Sequence, residues 1–319
     1  MAMCIIAAAG FLACKPGNAP EDPKDEYDVY VVGWEDNKEG KSVATLWKNG
    51  KATGLTDGKE DAAANSVFVA SSDVYVAGRE GYKAMLWKNN EPYELSDGKE
   101  RASALSVFFA DGKVYAAGYK GWKAMLWKGK KPTELNEKGL ASALSVFVAD
   151  GNVYVAGYEY GDAILWKNGE KYKELNDGNI QSKAHSVFVA DGDVYVAGYE
   201  YGKAILWKND EKPKELNDGL QYAVANSVFV AGSDVYVAGR EGYKAILWKN
   251  DEKPKELTDG SQIAEASSVF VIDGDVYVAG RNGRKAKLWK NGETTELSDG
   301  KRKAAVYSVY VVRREAGKK

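Results

Sequence analysis

The stretch Ser186 to Asn217 (SVFVADGDVYVAGYEYGKAILWKNDEKPKELN) sets the pattern of the chain: four short runs rich in Val, Tyr, Phe and Trp, separated by Gly, Asp, Asn and Lys. Runs of this length read as β-strands, and nothing between them has a helical period. We letter these strands A to D. Asp191-Gly192 separates A from B, and Asn168-Gly169 separates C from D in another copy of the pattern. Both pairs predict two-residue hairpin turns, whose central residues take positive φ. Pro92, Pro132, Pro213 and Pro254 fall near the start of D, accompanied by Lys and Glu. Proline and charge obstruct further pairing, so D is expected at an outer sheet edge and A at the innermost position.

The pattern repeats. Ser-Val-(Phe/Tyr) begins at Ser66, Ser106, Ser145, Ser186, Ser227, Ser268 and Ser308, and the Leu-Trp-Lys tryptophans are Trp47, Trp87, Trp127, Trp166, Trp207, Trp248 and Trp289, at spacings of 39 to 41 residues. Four antiparallel strands per period predict an all-β fold, a seven-bladed β-propeller of four-stranded blades. The first unit begins at Tyr27 without a strand A, and Ser308 to Val312 has no strands after it. The C-terminal strand is therefore expected to complete the first blade beside Asp28 to Gly33, so that no blade is left open.

Over Tyr27 to Val312 the chain resembles β-propellers in general, and it is similar to the repeat-built lipoproteins of bacteria. The named blade signatures are different. Where WD-repeat blades have Gly-His and Trp-Asp, this chain has Leu-Trp-Lys, and it lacks both the double glycine of kelch blades and the Asp-boxes of sialidases. The arginine triad and nucleophilic tyrosine of sialidases are therefore not carried over to any residue here.

The N-terminus differs in kind. Met3 to Ala13 (MCIIAAAGFLA) is an uncharged apolar run too short to span a bilayer as a helix, which fits a signal peptide over 1–13. Phe11-Leu12-Ala13-Cys14 resembles a lipobox, and the resemblance implies cleavage before Cys14 and lipidation of its sulfur. Residues 14–26 then have the composition of a flexible tether, 27–312 form the propeller, and 313–319 form a basic tail. These features imply a bacterial cell-envelope protein held to the membrane by a lipid anchor only, facing either the periplasm or the medium. The alternative is a soluble chain with an apolar N-terminal end.

Charge and cysteine content narrow the chemistry. A formal net charge of -2 gives no general attraction to nucleic acid. Cys4 and Cys14 are the two cysteines, both before the propeller, which leaves the propeller without thiol chemistry or disulfides. His185 is the one histidine, so no ordinary zinc site can form, and no calcium-loop spacing, phosphate loop or serine-nucleophile elbow is present. We expect no metal and no cofactor, and a monomer.

Positions shared by all blades serve the fold. The Leu-Trp pairs fill the spaces between blades, the Gly after Val-Tyr-x-x (Gly33, Gly78, Gly118, Gly157, Gly198, Gly239, Gly280) marks a bulge or close backbone approach, and the Asp-Gly pairs from Asp97 to Asp299 are turns. Function is then to be sought where blades disagree. Just before strand A, small residues such as Ala62, Ala64 and Ser66 recur while those between them change, which implies extended backbone with one fixed and one variable face. The residue before the Ser is Asn65, Leu105, Leu144, His185, Asn226, Ser267 or Tyr307, and four positions earlier stand Asp61, Arg101, Leu140, Gln181, Tyr222, Ile263 and Lys303. The B to C turns vary too, carrying Tyr82, Trp122, Tyr160, Tyr201, Tyr243 and several Arg. Both zones belong to one end of every blade.

The candidate ligand-binding residues are therefore Asp61, Asn65, Arg101, Trp122, Gln181, His185, Tyr222, Asn226 and Tyr307, around the channel mouth. Aromatic rings beside polar groups suit a glycan or a protein surface, and near-identical blades suit multivalent binding or scaffolding. No catalytic residue is assigned. The alternative is a carbohydrate-active hydrolase or lyase using a carboxylate such as Asp61 with His185 or Tyr222 as acid and base, which requires two groups whose pKa values are pushed apart in one pocket. The bland reading is a solvated rim in which the blades have drifted apart.

Overall fold

The computed structural model describes residues 27–137, 139–176 and 181–314. The signal, the Cys14 lipidation site, the tether and the end of the basic tail lie outside the described residues.

The chain forms seven four-stranded antiparallel sheets, and among the described residues there is no helix. Six blades are continuous in sequence. Blade two is typical, with A over Ala62–Ala70, B over Asp73–Glu80, C over Lys83–Lys88 and D over Glu91–Glu94. Blade one is made from both ends of the chain: Ala304–Arg313 lies against Tyr27–Asp36, with Val309 opposite Val31 and Tyr310 opposite Tyr30. The expected closure holds, and its strand runs on to Arg313, whose guanidinium reaches Asp273 at 2.7 Å.

Local chemistry explains the strand boundaries. Asp191 and Gly192 have φ of 51° and 83°, and Asn168 and Gly169 have 55° and 91°, so both hairpin turns take the positive-φ form their sequences predict. The D strands shrink to Lys214–Glu215 and Lys255–Glu256 where proline stands just before them. On the connection from D to the next A, the carboxylates of Asp57, Asp97, Asp218, Asp259 and Asp299 each accept from a backbone N–H two residues on, so these aspartates act as turn residues.

Each blade packs on the one before it. The seven tryptophans of strand C are at most 3% exposed, and Trp87, for example, sits among Tyr30, Val32 and Leu46 of blade one. Trp47 closes the circle by packing among blade-seven residues and donating its indole N–H to the Leu297 carbonyl at 3.0 Å. Burial of this kind contributes about 25 cal/mol per Å² of apolar area, so the blades stabilise chiefly through one another.

Two closed circles surround the axis. The hydroxyls of Ser66, Ser106, Ser145, Ser186, Ser227, Ser268 and Ser308 each accept from the backbone N–H of the Val in the next blade's A strand, at 3.1 to 3.3 Å. Beside them Phe68, Phe108, Phe147, Phe188, Phe229, Phe270 and Tyr310 meet ring to ring, at centroid distances of 4.7 to 5.0 Å. The repeated Ser-Val-Phe phrase is thus a structural device.

Candidate functional site

Every A strand contains a β-bulge, and the extra residue is the variable one. In blade two Ala64 pairs with Gly78 and Ser66 with Ala77, which leaves Asn65 unmatched. The same skip leaves Leu105, Leu144, His185, Asn226, Ser267 and Tyr307 as the bulged residues of the other blades. Glycine is required opposite because a Cβ on Gly78 or Gly157 would fall on the carbonyl oxygen of Ala63 or Ser142. A bulged residue has no ladder partner, so its side chain can change from blade to blade without disturbing the sheet.

Bulged residues with amide side chains brace the next blade. Asn65 donates to the Ser103 hydroxyl at 3.0 Å and the Ala104 carbonyl at 2.9 Å. Asn226 does the same to the Glu265 carboxylate and the Ala266 carbonyl, both at 3.0 Å. Tyr307 instead accepts from the Trp34 indole at 2.8 Å. Asn65 and Asn226 therefore spend their polar groups on the neighbouring blade, and Tyr307 spends its hydroxyl within its own.

Arg101, Trp122 and His185 come together. They line one open hollow of about 710 Å³ over blades three to five, with Leu105, Leu144, Tyr119 and Tyr158 as its apolar walls and Glu100, Ser142 and Lys183 among its polar groups. Trp122 is 72% exposed on its B to C turn, where four other blades expose a tyrosine. His185 meets the Tyr199 ring edge-on at 5.6 Å. Burial, followed by the nearby Lys183 charge, lowers the His185 pKa to about 4, so its imidazole is neutral at pH 7.

The remaining predicted residues lie elsewhere on the same face. Asp61 and Arg101 line a second hollow of about 580 Å³ with Lys41, Lys59, Arg79 and Lys83. There Asp61 accepts from the Ser42 backbone N–H at 3.1 Å and faces Lys41 at 3.7 Å, and the Ser42 bond is the main reason its pKa is lowered. Tyr222 lies 6.2 Å from Tyr199, with the Arg240 guanidinium 5.5 Å over its ring. Gln181 has φ of 89° and donates its backbone N–H to Gly161 at the entry to blade five. Asp61 and His185 thus line different hollows, and the acid and base pairing considered from sequence is not assembled from these two. Among the described residues no group of three or more His, Cys, Asp and Glu side chains could hold a metal ion.

Ser142 and Lys183 escaped the sequence reading. Each stands two residues before its bulge, at one of the positions that change between the recurring small residues. The alternation marked that register, but only the fold shows which of its seven occupants face a hollow.

The comparisons agree with the architecture. No family model and no curated protein matches the chain. Among solved structures it is similar to the extracellular domain of the one-component system BT4673 from B. thetaiotaomicron, with a TM-score of 0.52, 10% identity, and coverage of 78% of this chain and 37% of that one. It is also similar to virginiamycin B lyase from Staphylococcus aureus (TM-score 0.55, 10% identity, 73% and 83% covered) and to a puromycin-hydrolyzing peptidase from Mycobacterium tuberculosis (0.57, 10%, 84% and 53%). The chain therefore spans little more than a third of the BT4673 domain and about half of the peptidase. At this identity the likeness is one of fold: the protein is a seven-bladed β-propeller.

Proposed function

We propose that this protein is a binding module that takes a glycan or a protein segment on the face carrying the B to C turns and the D to A connections. The hollow over blades three to five is its principal seat. The observation that carries this reading is the combination, in one open concavity of about 710 Å³, of exposed Trp122 with Tyr119, Tyr158, Leu105 and Leu144 and a few polar groups. Recognition sites for small ligands have this size and this ratio of apolar wall to polar anchor. The opposite face favours structure instead: in most blades its Asn and Asp side chains hold the A to B and C to D turns together, as Asn209 holds Val194 and Asp193.

The apolar run ending at Cys14 supports a place outside the cytoplasm on a lipid anchor, and the extracellular domain among the structural neighbours is consistent with that location. Five blades present an exposed aromatic at the B to C turn (Tyr82, Trp122, Tyr160, Tyr201 and Tyr243), which also supports contact with an extended ligand. A glycan array probed with the wild-type chain and with Trp122→Ala/Tyr119→Ala tests the reading. Binding by the wild type and its loss in the variant are expected. Glycan binding that survives in the variant would place the seat elsewhere, and no glycan binding by either would leave a protein segment as the ligand class.

A further inference from the structure

Four of the residues that stand two before a bulge are polar, and two of them are braced by the bulged residue of the preceding blade: Asn65 serves Ser103 and Asn226 serves Glu265. The other two, which adjoin, have no such brace. In the same register Leu105 precedes Ser142 and Leu144 precedes Lys183. A leucine offers neither donor nor acceptor, so two polar side chains face the hollow without the partner that their equivalents have.

Both are in fact unsatisfied. Ser142 is 4% exposed and its hydroxyl has no hydrogen-bond partner. Buried hydroxyls rarely remain unpaired, because each costs about 1–3 kcal/mol. The Lys183 ammonium lies 4.4 Å over the ring of Tyr158, which is itself the cross-strand neighbour of Ser142. Lys183 makes no ion pair with any described carboxylate. Its pKa is lowered by burial alone, the mark of a cation without a counter-ion. The other charged residue of this register, Glu265, is held by both Asn226 and Arg281. Of the titratable groups lining the hollow, Arg101 adds positive charge at the rim, Glu100 is the one carboxylate, burial leaves His185 uncharged at neutral pH and raises the pKa of Tyr158, and Tyr119 is the remaining phenol.

We propose that Ser142 and Lys183 form a carboxylate receptor in the hollow, and that its ligand is a ring bearing a carboxylate, with the ring against Trp122, Tyr119 and Tyr158. This rests on the reading of the hollow as a binding seat. A carboxylate there gives Lys183 a counter-ion and Ser142 an acceptor, and the aromatic walls receive the apolar face of the ring. A sugar acid and an aryl acid share this chemistry.

The test titrates the full-length chain with two matched pairs, methyl glucuronide against methyl glucoside and benzoate against benzamide, followed by indole fluorescence. Four variants accompany it, Trp122→Ala and three at the receptor. Lys183→Val copies Val224 of the next blade and Ser142→Ala copies Ala63, so both fit the fold, while Lys183→Arg keeps the charge. We expect at least one acid to bind about tenfold tighter than its neutral partner, with a preference that shrinks at high salt. Lys183→Val should abolish that preference, Ser142→Ala should weaken it severalfold and Lys183→Arg should retain most of it. Preference confined to the glucuronide identifies a sugar acid; preference confined to benzoate identifies an aryl acid. Equal binding of acid and neutral partners, lost in Trp122→Ala, would overturn the carboxylate receptor and leave the seat standing. A preference that persists in Lys183→Val, or no binding by either acid, would also overturn it, and the array result decides the seat independently.

Discussion

The Ser308 hydroxyl accepts a hydrogen bond from the backbone N–H of Val67 at 3.3 Å, across 241 residues of sequence. This contact joins the last strand of the chain to the second blade, and its geometry matches that of six bonds between blades adjacent in sequence. The ring therefore has no weaker place in this circle. Ser308→Ala and Ser145→Ala should each destabilise the fold by about 1–3 kcal/mol, because each leaves a buried N–H unpaired. Urea denaturation of the two variants side by side checks this, and a much smaller effect at Ser308 would show that the closure is looser than the other junctions.

Two glycines with different roles should respond differently to alanine. At Gly157 the new methyl meets the Ser142 carbonyl, so Gly157→Ala must push the bulge apart, at a cost of about 3 kcal/mol or more. At Gly192 the space is open and only the φ of 83° is disfavoured, so Gly192→Ala should cost about 1 kcal/mol. Thermal denaturation of the pair separates the two effects.

His185 should give the protein a pH dependence of known sign. Its folded pKa of about 4 lies below the usual 6.5, so the unfolded chain takes up a proton first as pH falls. The stability that neutral His185 supports is fully present above pH 6.5 and is lost between pH 6.5 and 4, by at most about 3 kcal/mol. His185→Asn should flatten this part of the curve. Chemical denaturation at half-unit steps, with the variant as reference, isolates the histidine from carboxylates such as Glu80 and Glu241, whose pKa values burial raises.

Lys183 should titrate below the ordinary lysine value. Its lowered pKa means that the charged form is disfavoured in the fold, so the penalty is present at neutral pH and is relieved as pH rises past its folded pKa toward the unfolded one. Carbon-13 methylation of the lysines, assigned through Lys183→Val, follows this by NMR. Lys183→Val itself should raise the unfolding midpoint, as removal of an uncompensated cation requires.

Trp122→Ala should leave stability within about 0.5 kcal/mol of wild type, since the side chain is 72% exposed. Its effect should appear in ligand binding alone. A large fall in unfolding midpoint would mean that the indole is a packing element.

The blades were legible in the sequence because each one solves the same packing problem with the same residues: Trp between sheets, Ser toward the next blade, Asn or Asp in the turns. The closure was legible by counting, from a first unit without Ser-Val-Phe and a last one with nothing else. The candidate site was only partly legible. Comparing blades found the bulged positions and Trp122, but a difference between blades does not reveal whether a side chain is spent on its neighbour, as Asn65 is, or left facing a hollow, as Lys183 is. That depends on two residues about 40 positions apart, one on each side of a blade junction, and the pairing becomes visible only once the bulge sets the register.

Because blade one is assembled from both chain ends, the seam lies inside a sheet and not between two blades. Gain or loss of one whole internal repeat in the gene would leave the two halves of blade one able to meet and would alter only the circumference of the ring. The same event would bring a different pair of blades into contact and so match the bulged residue at that junction with a new neighbour. Exchange of entire repeats can thus recombine the chemistry of the mouth without inventing a single new side chain.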